Sequence, residues 1–385
     1  MDDSNEVLTT SSPAPKQAIP LRRRIGYLSI LYLCFLVALA SIELGTRALL
    51  PHLSSLELFV NTPQQKLQVA NEKQSTIFEG DPLLLWRLRP NLDHVVWDFT
   101  VLSTNAQHYR SDYPIGSKAP GTIRIVCLGD SVTFGYRVPV VWPDKPTEYD
   151  RAWLPFPMLL EKQLQAANPG RHIEGIAMAV PGYTTHQGLA WLQRDIDSLQ
   201  PDLLIVSFGW NDASFSDVAD RDTIRTNWYY VGVRWLIDHS QAFAHASHWL
   251  RSGSSPAKNR PVRPVARVSD QEYVSNVRAI VNLARSRGSK VLVLAAPYRD
   301  AETNPIEAKL MTHYRDELRT AMQQDQVPFL VVPELTEAAH PSNERWFGEL
   351  IHPNHIGHRL IASELLKSFP QDHLLENLNI PLLIP

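Results

Sequence analysis

Between residues 121 and 370 short aliphatic runs alternate with longer stretches whose apolar residues recur every third or fourth position. The runs Ile123–Leu128, Ile173–Ala179, Leu203–Phe208, Val291–Ala295 and Phe329–Val332 predict strands. The stretches Phe156–Ala167, Thr185–Leu199, Asp270–Arg287, Ile306–Gln323 and Asn354–Ser368 predict amphipathic helices. Strand followed by helix, repeated in this way, is the pattern of an α/β domain built on a parallel sheet. Residues 213–268 break the rhythm: they hold an aromatic run, Trp228–Trp235, a helical piece near Trp235–Leu250, and a Pro/Arg-rich linker reaching Val268. This interval reads as an insertion, and no internal repeat is visible.

The pattern ahead of the domain differs. Residues 1–20 carry Ser, Thr, Pro and charge without apolar periodicity and are expected to be disordered. Arg22, Arg23 and Arg24 then precede an uncharged run, Ile25 to Ile42, long enough to cross a hydrocarbon core as a helix. Positive charge before the run, with none of comparable density after it, orients the N-terminus inside and exports everything beyond residue 50. The reading is therefore a cytoplasmic tail (1–24), a transmembrane signal anchor (25–48), an extracytoplasmic extension (49–120), a catalytic domain (121–370) with its insertion or lid at 213–268, and a C-terminal tail (371–385). Ala38-Leu39-Ala40 resembles a signal-peptidase site, so cleavage is the alternative to a permanent anchor; a buried core helix is a third reading, which the arginine flank opposes. Both membrane readings place the domain on the periplasmic or extracellular side. Pro51 to Gly121 is mixed in texture, with alternation over His94–Val101 that suggests a few strands and no assignable chemistry.

Length and composition narrow the function. The 385 residues suffice for one catalytic domain of about 200–250 residues with appendages. A net charge of -3 lacks the basic excess that phosphate binding demands, so nucleic acid is not an expected partner. Two cysteines, Cys34 in the apolar run and Cys127 in a predicted strand, build neither a disulfide framework nor a cysteine metal site.

Chemistry concentrates after predicted strand ends, where parallel sheets place their ligands. The first strand ends in Gly129-Asp130-Ser131, with the serine at a strand-to-helix turn whose free N–H groups suit an oxyanion. Val180-Pro181-Gly182 follows the second strand and Gly209-Trp210-Asn211-Asp212 the third; a glycine N–H and an asparagine amide are neutral donors for the same oxygen. Each feature alone has an ordinary explanation as a helix cap or turn residue. Their succession at three strand ends favours catalysis. Glu349-Leu350-Ile351-His352-Pro353 supplies the base a serine requires and a carboxylate to orient it. His355 and His358 are read as structural. Zinc at His352, His355 and His358 is disfavoured by Pro353, by the helix start and by the lack of further ligands, so no metal or cofactor is expected.

The blocks Gly129-Asp130-Ser131, Gly182, Gly209-Trp210-Asn211-Asp212 and His352-Pro353 resemble, in order and spacing, those of the SGNH (GDSL) hydrolase superfamily, particularly its bacterial membrane-anchored members. The resemblance covers about residues 120–370. It implies a flavodoxin-like three-layer α/β/α fold with a five-stranded parallel sheet, no metal, and hydrolysis of acyl esters or thioesters. It also implies Ser131 as nucleophile, His352 as base, and Ser131, Gly182 and Asn211 as the oxyanion hole. The family pattern has aspartate three residues before the histidine, whereas this chain has Glu349. The expected activity is a serine esterase acting on acyl, foremost O-acetyl, esters of a glycan or lipid. An O-acyltransferase using the same triad and a non-catalytic glycan-binding module are the alternatives. Trp228, Tyr229 and Tyr230 of the insertion are expected either to stack on sugars or to pack within a lid.

Overall fold

The computed structural model describes residues 20–55, 58, 77–139, 153–252, 264–298, 305–336, 343–349 and 351–376. The expected disordered N-terminal residues up to 19, the linker at 253–263 and the end of the C-terminal tail lie outside the described residues.

Helix α1 (Leu21–Leu49) contains the uncharged run and continues unbroken through Ala38–Ala40. None of its residues is buried, and it is long and apolar enough to cross a membrane. Two antiparallel hairpins follow, β1 (Phe78–Asp81) with β2 (Leu85–Leu88) and β3 (Val95–Trp97) with β4 (Thr100–Leu102). The extension to which sequence assigned no chemistry is part of the main core. Ile77, Leu84, Leu85, Trp86 and Leu88 are buried in one cluster with Val126 and Trp191. Trp86 meets Tyr183 edge-on at 5.5 Å, and Tyr109 stacks on Trp191 at 5.7 Å. Each such side chain contributes about 1.5–3 kcal/mol through burial.

The α/β domain then runs β5 (Thr122–Gly129), α2 (Ser131–Phe134), α3 (Phe156–Ala167), β6 (His172–Ala179), α4 (Thr185–Leu199) and β7 (Leu203–Ser207). Helix α5 (Trp210–Ala213) leads into the insertion, which holds β8 (Phe215–Ser216), α6 (Asp220–Thr223), α7 (Trp228–His239) and α8 (Gln241–Ser252) and closes at β9 (Val265–Ala266). After it come α9 (Asp270–Ser286), β10 (Lys290–Leu294), α10 (Pro305–Gln324), β11 (Phe329–Leu330), α11 (Pro333–Thr336) and α12 (His355–Gln371). The five strands pair in the order β11-β10-β7-β5-β6, all parallel, which is the flavodoxin-like winding.

Alternation along β5 divides the core between two faces. Val126 and Leu128 join Trp191 and Ile196 of α4, Val277 and Ile280 of α9, and Leu318 of α10. Ile125 and Cys127 join Phe156 and Leu160 of α3 and Ile361 and Leu365 of α12. The result is the expected three-layer α/β/α sandwich. The last strand is shorter than its aliphatic run predicts: Pro333 starts α11, and Leu335 N–H turns back to the Val332 carbonyl at 2.9 Å.

The insertion differs from expectation in its helices. The base is closed by β8 pairing with β9, but the helical piece near Trp235–Leu250 is two helices meeting at Ser240. Glu43 of α1 accepts hydrogen bonds from Ser240 Oγ at 2.8 Å and from the Gln241 and Ala242 N–H groups at 3.0 Å, so its carboxylate caps the positive end of α8. Asp238 of α7 accepts from Ser55 N–H and Oγ, and buried Arg234 donates to the Pro82 carbonyl. These bonds tie α1 to the β1–β2 hairpin through the insertion. Trp228 and Tyr229 are exposed, whereas Tyr230 is half-buried, with the Arg225 guanidinium 4.6 Å from its ring centre.

Candidate active site

The sheet register brings three strand ends abreast, with Gly129 of β5 opposite Ala179 of β6 on one side and Ser207 of β7 on the other. Ser131, Gly182 and Asn211 therefore leave the same carboxyl rim. The turn at Ser131 explains its neighbours. A Cβ on Gly129 would lie 2.7 Å from the Ser207 carbonyl oxygen, so glycine is what allows the strands to close there. Asp130 caps α2, its Oδ1 accepting from Val132 N–H at 2.9 Å. Gly135 ends α2 in the left-handed region at φ 82°.

His352 arrives from the far end of the sequence. Its loop is pinned by a bridge between Phe347 and Pro353, by Gly348 N–H donating to the His352 carbonyl at 2.9 Å, and by buried Asn354. Asn354 accepts from the Ile356 and Gly357 N–H groups as the cap of α12 and donates to the Arg345 and Phe347 carbonyls. In this frame His352 Nε2 lies 2.7 Å from Ser131 Oγ, and His352 Nδ1 is hydrogen-bonded to Glu349 Oε1. Ser131 and His352 are each 7% exposed, so a reacting group would meet them largely out of water. Burial opposes ionisation of Glu349, but the hydrogen bond and charge of His352, joined by Arg137, hold its carboxyl below the usual glutamate range. The longer glutamate arm thus reaches the histidine that the family pattern gives to aspartate.

Asn211 Nδ2 donates to Oδ2 of Asp130, the residue before Ser131, at 3.2 Å, which engages one of its two amide hydrogens. Gly182 has φ 85°, a conformation that favours glycine, and its carbonyl accepts from Arg267 Nη1 at 2.9 Å. Arg267 is itself held by Asp220 at 2.8 Å. His355 stacks on Trp153 at 4.6 Å. His358 accepts from Phe156 N–H at 3.2 Å, and burial presses its imidazole down to about 3, so it stays neutral. Among the described residues no group of three or more His, Cys, Asp or Glu side chains could hold a metal ion.

A family model described as GDSL-like lipase/acylhydrolase matches residues 127–360, a span that takes in every one of these site residues. The chain belongs to the GDSL-like lipase/acylhydrolase family. It is similar to a lipase/acylhydrolase from Enterococcus faecalis, at 17% identity over 67% of this chain and 98% of that one, with a TM-score of 0.41. An acetylxylan esterase from Geobacillus stearothermophilus is similar at 16% identity over 66% and 94% of the two chains, with a TM-score of 0.42. So is an alpha/beta hydrolase enzyme from the metagenome of Lake Arreo, Spain, at 18% identity over 66% and 97%, with a TM-score of 0.41. No curated protein matches the chain. As a member of this family it is a hydrolase.

Sequence reasoning missed three residues of this GDSL-like site. Arg137 Nη1 lies 2.8 Å from Glu349 Oε2, Asp98 holds Arg137, and the ring of Tyr136 meets that of His352 edge-on at 4.6 Å. No motif marks them. Asp98 belongs to the hairpin that sequence left without chemistry.

Asp212, next to Asn211, supports a prediction about stability. Burial pushes its carboxyl up to about 8, only partly offset by Thr185, whose N–H donates to Oδ1 at 2.9 Å. Folding therefore takes up a proton that the unfolded chain has released, and this contribution to stability declines as pH rises from about 4 toward 8. Asp212→Asn should flatten this decline, as urea midpoints across that pH range will register; an unchanged slope would contradict the assignment.

Proposed function

We propose that this GDSL-like hydrolase is a membrane-anchored serine esterase that removes small acyl groups, foremost O-acetyl, from a glycan or lipid. The observation that carries the reading is the unbroken hydrogen-bond chain from Ser131 Oγ through His352 to Glu349, set beside the Asn211 amide. Ser131 Oγ attacks the ester carbonyl carbon while its proton passes to His352 Nε2. Glu349 steadies the resulting imidazolium. The carbonyl oxygen, now anionic, takes hydrogen bonds from Ser131 N–H, Gly182 N–H and Asn211 Nδ2. When the tetrahedral adduct collapses, His352 returns the proton to the departing alcohol oxygen. The acyl group stays on Ser131. Water then attacks that acyl carbon, giving its proton to His352, and the acid leaves as Ser131 Oγ recovers the proton.

Location refines the substrate. With α1 in the bilayer and Arg22–Arg24 on the cytoplasmic side, the catalytic domain works outside the cytoplasm. The Glu43 contacts support a seat for α7 and α8 close to that surface, where exposed Trp235 and Trp249 suit the interfacial zone. An exported acetylated polysaccharide fits such a position.

The full chain in detergent, assayed with acetylated glycans and with acyl lipids, should release acetate from a glycan and lose this activity in Ser131→Ala. Acetate moved onto an added glycan hydroxyl would identify an acyltransferase. Binding of the glycan with no acyl release, in a protein inert to p-nitrophenyl acetate, would leave a non-catalytic module and sink the proposal.

A further inference from the structure

We infer that Arg137 and Asp98 are positioning residues that fit a glutamate into the orienting place of this triad. The inference rests on the triad proposed above. A glutamate has one more rotatable bond than aspartate, so a single hydrogen bond to His352 leaves its carboxylate more conformations to sample. Glu349 has both oxygens occupied: Oε1 on His352 Nδ1 and Oε2 on Arg137 Nη1 at 2.8 Å. The second contact holds the carboxylate oxygen that His352 leaves free.

Arg137 is itself built into the fold. Its Nε and Nη2 converge on Asp98 Oδ2 at 3.1 and 2.9 Å, and its backbone N–H donates to Thr100 Oγ1 at 2.8 Å. Its guanidinium lies 5.0 Å from the centre of the Tyr136 ring. Tyr136 donates its hydroxyl to the same Asp98 oxygen, and its ring edge meets His352. Arg137 sits at φ 57°, a left-handed conformation uncommon for a side chain of this size, held there by these partners. Asp98 and Phe99 form the turn between β3 and β4, at φ 42° and 64°. The hairpin of the extension therefore delivers a carboxylate that holds an arginine, which holds the glutamate, which holds the histidine. This gives residues 95–102 a duty in the reaction that requires no contact with substrate.

Arg137→Met keeps the aliphatic stem over Tyr136 and removes the fork. It should lower kcat on p-nitrophenyl acetate by about 10- to 100-fold, the scale expected when a reacting group is misplaced by about an ångström, with KM little changed. Asp98→Asn should act in the same direction more weakly, and Arg137→Lys should recover part of the loss. The decisive comparison is made in Glu349→Ala, where Arg137→Met should cost nothing further, because its route to His352 is gone. An equal loss in both backgrounds would assign Arg137 a general structural role and overturn the inference. If Glu349→Ala leaves kcat intact, the triad reading itself fails. If Glu349→Ala is impaired while Arg137→Met is not, only the positioning role fails. Should Arg137→Met not fold, Asp98→Asn in the same two backgrounds carries the test.

Discussion

His352→Ala is expected to lower kcat on p-nitrophenyl acetate by about 10⁴- to 10⁶-fold, the cost of removing a base that acts as a unit with its serine. A serine hydroxyl is a weak nucleophile until its proton has somewhere to go, and here the acceptor stands at 2.7 Å. The loss should fall on kcat and kcat/KM together, because the imidazole takes the proton only as the transition state forms. Neither nearby histidine can substitute. His355 is engaged with Trp153, and His358 is buried with its Nδ1 on the Phe156 N–H. Initial rates over a range of ester concentration measure the effect; a fall of less than about tenfold would mean that another group is the base.

Asn211→Ala should cost about 10²- to 10³-fold in kcat, the usual value of one oxyanion donor. Its amide is oriented by Asp130 at 3.2 Å, so the donor is in place before the reaction begins. Truncation has a second consequence. Burial already pushes the Asp130 carboxyl up to about 6, and loss of the Asn211 hydrogen bond removes a contact that favours its ionised form. The variant should therefore bind ester with near-normal KM and turn it over slowly, with Ser131 still open to acylation. A large rise in KM at unchanged kcat would instead assign Asn211 to ground-state binding.

Much of this architecture was legible in the residues, for physical reasons that differ along the chain. The α4 boundaries were readable because apolar residues recur at helical spacing from Thr185 to Leu199 and form one buried stripe. The motif serine, glycine, asparagine and histidine could be placed at one rim because parallel strands end together and their loops begin there. In the extension, alternation over His94–Val101 suggested the strands found as β3 and β4, but the rest was opaque for the opposite reason. Its strands are only three or four residues long, and its turns pass through positive φ at Leu85, Asn91, His94, Asp98 and Phe99, without the glycines that announce such turns. Its burial against Tyr183 and Trp191 is a tertiary property that no local pattern carries. The break between α7 and α8 lacks a glycine or proline, and its hydrogen-bond partner, Glu43, is distant in sequence. Arg137 was invisible because its value depends on a hairpin upstream and a loop far downstream.

Covalent capture of Ser131 tests the central claim most directly. Intact mass of the full chain after treatment with a fluorophosphonate should show a single adduct, mapped to the peptide carrying Gly129-Asp130-Ser131, formed fast in the wild type and absent in Ser131→Ala. Slow labelling in His352→Ala would follow from the missing base. An adduct on a different residue, or ester hydrolysis that persists in Ser131→Ala, would contradict the account.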